Sequence, residues 1–102
     1  MAKRNRVYIA GPITGTDDYM ERFAAAEAKL QKEGNLVVNP TAFSAHLLNA
    51  EFDWAEFMSV TLTLMSMCDK VYLLPGWKNS KGCRCEVKEA KRIGMPIWYA
   101  EK

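Results

Sequence analysis

The sequence has a single histidine, three cysteines, no long apolar run and almost no surplus of charge. His46 cannot complete a metal cluster by itself, and Cys68, Cys83 and Cys85 lack the spacings of a zinc site or a thioredoxin-like redox motif, so neither metal nor cofactor is expected. No stretch approaches the roughly 20 apolar residues of a membrane span. Before Gly11-Pro12 the N-terminal region offers just the apolar run Val7 to Ala10, too little for a signal-peptide core. The expectation is a cytoplasmic protein without a membrane partner. Lys and Arg number 14 against 12 Asp and Glu, a net charge of +2. That is too small to build a nucleic-acid-binding surface, and the cluster Lys3, Arg4, Arg6 is confined to one terminus. What is present, 49% hydrophobic and 25% charged residues over 102 positions, is the balance of one soluble globular domain with one core. A chain this short buries roughly 60 to 70% of its extended surface, so a homo-oligomer is expected.

Strand formers fill Arg6 to Ala10 and stop at Gly11-Pro12, where proline lacks the amide a ladder needs. From Asp17 or Asp18, the residues Tyr19, Met20, Phe23, Ala26 and Leu30 recur at helical spacing until Gly34. Leu36-Val37-Val38 reads as a short strand ended by Asn39-Pro40, and Thr41 to about Glu51 reads as irregular. Residues 53 to 67 carry Trp54, Phe57, Met58, Val60, Leu62, Leu64, Met65 and Met67 without Gly or Pro. This predicts a helix buried on more than one side, better suited to core and subunit interface than to a cofactor box. Lys70 to Leu74 is a third strand, stopped by Pro75-Gly76. A polar loop from Trp77 to Gly82 leads into a helix from about Cys83 to Ile93, and Pro96 to Tyr99 is the last strand. Such alternation argues for a flavodoxin- or Rossmann-like three-layer α/β sandwich with a parallel four-stranded sheet. Ligands then bind beyond the carboxyl ends of the strands, among Gly11 to Thr16, Asn39 to Ala42 and Pro75 to Gly82.

Three features could carry chemistry. The first loop, Gly11-Pro12-Ile13-Thr14-Gly15-Thr16, is either a cradle for a phosphate or sugar oxygen or a tight strand-to-helix turn; it is neither a P-loop nor a dinucleotide fingerprint. In the third loop, Ser80-Lys81-Gly82 stands at a helix entrance with Glu86 about one turn inside. The helix dipole would keep that carboxylate ionised, ready to attack an anomeric carbon, or Glu86 merely complements the dipole. Trp77 is either a wall for a base or a cover for the sheet edge. Cys83 and Cys85 sit where a dipole lowers thiol pKa, but with nothing marking His46 as a base they read as packing residues. Asp69, before the third strand, reads as a cap or turn residue at the opposite end of the sheet.

The ordered set Tyr8-Ile9-Ala10-Gly11-Pro12-Ile13-Thr14-Gly15, Val38-Asn39-Pro40, Cys68-Asp69-Lys70-Val71-Tyr72-Leu73-Leu74-Pro75-Gly76-Trp77 and Ser80-Lys81-Gly82 with Glu86 and Ala90 resembles the nucleoside 2-deoxyribosyltransferase-like superfamily, in its small phage and bacterial branch. The resemblance runs from about Val7 to Tyr99. It implies a flavodoxin-like subunit acting on the N-glycosidic bond of a nucleoside or nucleotide, with Glu86 as nucleophile and Ser80 helping to hold a 5′-phosphate. It further implies that Gly11, Pro12, Ile13 and Thr14 enclose the substrate above Tyr8, with Asn39, Trp77 and Gly82 nearby. Two departures stand out. The superfamily's acid, eight residues before the aspartate that introduces the third strand, is here Thr61, which cannot act as a general acid at neutral pH. Asp53 and Glu56 lie earlier on the same helix, Glu56 about 140° around it from Thr61. The basic residue of the nucleotide-hydrolase loop is replaced by Thr14. The expectation is an N-glycosidase or deoxyribosyltransferase, or a nucleotide-binding protein weakened in catalysis.

Overall fold

The computed structural model describes residues 5–13 and 17–100. Four strands, β1 (Arg6–Ala10), β2 (Leu36–Val38), β3 (Lys70–Leu73) and β4 (Ile97–Tyr99), form one sheet in the order β2-β1-β3-β4. All three pairings are parallel. Helices α1 (Tyr19–Lys32), α2 (Thr41–Asn49), α3 (Trp54–Ser66) and α4 (Lys81–Arg92) complete the expected flavodoxin- or Rossmann-like three-layer fold. No described helix is long and apolar enough to cross a membrane.

The strand alternation of β1 divides the core. Val7 and Ile9 face α1 and pack with Phe23, Ala26 and Leu30. Tyr8 and Ala10 face the other way, into a cluster that includes Met65 of α3 and Val87 and Ala90 of α4. Fully burying a Phe or Leu contributes about 1.5–3 kcal/mol, so these two clusters hold the helices to the sheet. At the edge remote from the strand carboxyl ends, Asp69 fastens β3 to β1. Its amide donates to the Arg6 carbonyl at 2.7 Å, and its carboxylate accepts from the Arg6 amide at 2.8 Å. Asp69 therefore occupies the turn position expected for it.

Three sequence expectations need revision. The stretch after Pro40 is a helix, α2, rather than irregular chain. Its buried positions are Thr41, Ser44 and Leu47, so two of three inward residues are hydroxylated and the apolar period disappears. It also ends without glycine, Glu51 taking the left-handed conformation at φ 62°. The second revision concerns α3, which buries Met58, Thr61 and Met65 along one side. Trp54 and Met67 are exposed, so within one chain the helix is not enclosed on several sides. Third, α4 begins at Lys81, two residues early, because the Ser80 hydroxyl caps it by accepting from the Cys83 amide at 3.3 Å.

Candidate functional site

The chain leaves β1 for β2 on one side and later returns to β3 on the other, so the topological switch lies between β1 and β3. A cleft of about 240 Å³ opens there, lined by β1, its following loop, α2, α3 and the start of α4. Its shape depends on close backbone approach. A Cβ on Gly11 would stand 2.8 Å from Leu74 Cδ1 and 3.1 Å from Phe23 Cζ, so glycine lets the loop lie flat on the core. Gly82 faces Met58 of α3, where an added Cβ would meet the sulfur at 3.4 Å.

Glu86 lies at the cleft floor. On α4 the buried residues are Cys83, Glu86, Val87 and Ala90, spaced three and four apart, so the carboxylate takes a position that helix geometry assigns to an apolar side chain. It is 7% exposed. Tyr8, fully buried on β1, donates its hydroxyl to Glu86 Oε2 at 2.7 Å. Thr61 is buried beside them, its hydroxyl donating to the Met58 carbonyl at 3.2 Å. Burial pushes the Glu86 carboxyl up to about 7, and hydrogen bonding to the Tyr8 and Thr61 hydroxyls offsets part of that rise. Burial and the nearby Glu86 charge likewise raise the Tyr8 phenol. The ionised carboxylate expected from the helix dipole is thus corrected. Desolvation outweighs the dipole in the second turn, and Glu86 divides between its two protonation states near neutrality.

Of the sequence-derived site residues, Tyr8, Gly11, Ile13, Ser80, Gly82 and Glu86 meet in this cleft. Thr14 lies outside the described residues. Pro12, Asn39 and Trp77 are not among the lining residues. Pro12 is buried and packs near Gly76, whose left-handed φ of 86° opens a single 3₁₀ turn at Trp77–Asn79. Asn39 braces α2, accepting from the Thr41 amide at 3.0 Å and hydroxyl at 2.8 Å, and donates to Glu27. Trp77 packs on the α3–α4 face of the core with its ring centroid 6.2 Å from that of Tyr99.

The sequence did not point to Ser44, Leu48, Phe52, Trp54 and Phe57 as cleft residues, and Asp53, weighed there only as an acid near Thr61, lines the cleft with them. Their signal is weak because α2 hides its period and Trp54 reads as one more apolar residue of a helix. Asp53 caps α3, with its carboxylate accepting from the Glu56 amide at 2.8 Å and Glu56 returning the bond to the Asp53 amide at 2.9 Å. Glu56 is consumed in that capping box.

Cys83 is buried, and desolvation pushes its thiol up to about 12, so it is an inert packing residue despite its place at a helix start. Among the described residues no group of three or more His, Cys, Asp or Glu could hold a metal ion. The cleft thus combines a buried, proton-exchanging carboxyl, two hydroxyls on its floor and apolar walls. This suits attack by an oxygen nucleophile on an electrophilic carbon. Among curated proteins, none matches the chain. A family model does match, over residues 5–99, and by that match the chain belongs to the family described as a domain of unknown function, DUF4406.

Proposed function

We propose that the protein cleaves or transfers the N-glycosidic bond of a nucleoside or nucleotide. The observation that carries this reading is the desolvated Glu86 carboxyl, opening into the cleft at the β1/β3 switch and held by the Tyr8 hydroxyl at 2.7 Å. One carboxylate oxygen of ionised Glu86 attacks the anomeric carbon as the bond to the base nitrogen breaks. The electron pair of that bond leaves with the base, which takes a proton from solvent water, and a glycosyl ester of Glu86 remains. Water or a second base then attacks the same carbon and returns the carboxylate. Ser80 and Gly82, at the head of α4, offer a hydroxyl and backbone to the sugar.

Thr61 favours a second reading, a nucleotide-binding protein weakened in catalysis. It is buried on the cleft floor where the superfamily resemblance leads one to expect an acid, and losing one acid–base group typically lowers a rate by about 10²- to 10⁴-fold. Incubation with deoxynucleosides and their 5′-monophosphates, with and without an acceptor base, separates the two. Base release that disappears in Glu86→Ala supports the glycosidic reading. Saturable binding without release, preserved in Glu86→Gln, supports the binder.

A further inference from the structure

The cleft has two chemically different ends. Around Glu86 stand Ser80, Gly82 and Gly11, which offer hydroxyl and backbone groups. From α2 to the start of α3 the lining is apolar and exposed, with Leu48, Phe52 and Trp54, the last 47% accessible. A nucleoside carries the same division, a hydroxylated sugar joined to a flat base. Matching polar to polar sets the sugar near α4 and turns the base toward the start of α3.

Trp54 is built to receive it. It is the first residue of α3, and the Asp53–Glu56 capping box fixes that helix start. The Lys81 ammonium of α4 sits 4.2 Å from the centroid of the indole, bridging the two helices that border the cleft and restraining the ring. A half-exposed indole held in place on the cleft wall leaves apolar surface in water, and a flat partner stacked on it would remove that surface from water.

We propose that Trp54 is the base-binding residue of this site, with Lys81 as the positioning residue that holds its ring. The assignment rests on the glycosidic reading. It replaces Trp77, whose ring is turned to Tyr99, and it makes the favoured ligands those with an extended aromatic base.

The test uses the full chain carrying Trp77→Phe and Trp98→Phe, which leaves Trp54 as its one indole. Titration with 2′-deoxyadenosine is expected to change its fluorescence saturably, and 2-deoxyribose is expected to leave it unchanged. In the unaltered background, Trp54→Ala is expected to weaken 2′-deoxyadenosine binding at least about tenfold, the scale of one base–aromatic stack, with Trp54→Phe retaining most of it. Lys81→Met is expected to weaken binding less and to broaden the indole emission. If nucleosides still lose their base with unchanged KM in Trp54→Ala, and the fluorescence does not respond, the base lies elsewhere and this inference falls while the glycosidic reading stands. If the unaltered protein neither binds nor cleaves a nucleoside, both fall.

Discussion

At the residue scale, the same ionisation has opposite consequences for activity and for stability. On the proposed glycosidic reading Glu86 must be a carboxylate to attack carbon, so base release is expected to rise with pH around the value near 7 and to level off above it. Initial rates from pH 5 to 9 check this. Folding stability is expected to move the other way. The carboxyl has a higher proton affinity folded, at about 7, than its ordinary 4.5, so between these values the native state binds more protons. Its contribution is fully present below about pH 4.5 and is lost as pH rises through 7, a difference of about 3 kcal/mol. Glu86→Gln keeps an acceptor for Tyr8 without a charge to desolvate. It is therefore expected to melt several degrees higher than the unaltered protein at pH 8, the two converging at pH 4.5. Tyr8→Phe removes the hydroxyl that lowers the Glu86 value, and should displace the rate profile about one pH unit to the alkaline side.

At the scale of elements, legibility followed local pattern. Helix α1 announced itself by an apolar repeat at helical spacing, the strands by short runs of strand formers, α3 by an apolar stretch free of Gly and Pro, and α4 by the polar loop before it. Helix α2 did not, since Thr41 and Ser44 occupy inward positions where the pattern asks for aliphatics. The burial of Glu86 was readable in principle from Cys83, Val87 and Ala90 around it, three apolar residues on one helical stripe with the acid among them. Its protonation was not, because the desolvation comes from β1 and α3, distant in sequence. Gly11 shows the same limit, its need for a missing side chain arising from Leu74 and Phe23. Gly11→Ala is expected to destabilise the fold by about 1–3 kcal/mol in urea unfolding, through overpacking. Asp53→Ala, which removes a cap from α3, is expected to cost about 1 kcal/mol.

At the scale of the whole molecule, charge is nearly balanced, at +2, yet unevenly placed. Among the described residues lining the cleft, Asp53 and Glu86 carry carboxyls and none is lysine or arginine. A dianionic phosphate seated beside Glu86 would meet like charge, the Lys81 ammonium being held over the Trp54 ring instead. A nucleoside is therefore expected to bind at least about tenfold more tightly than its 5′-monophosphate at low ionic strength, a gap that narrows as salt is added. Calorimetric titration of one such pair at two salt concentrations measures it.

The double tie between Arg6 and Asp69 lies at the far end of the sheet, well away from any chemistry. Because side chains alternate along a strand, slippage of β1 past β3 by a single residue would rotate Tyr8 onto the α1 side and leave the carboxyl of Glu86 without its phenol. A clasp of two short hydrogen bonds thus governs, at a distance, whether the Tyr8 phenol reaches the Glu86 carboxyl. Loosening it with Asp69→Ala would disable the cleft without altering any atom that lines it.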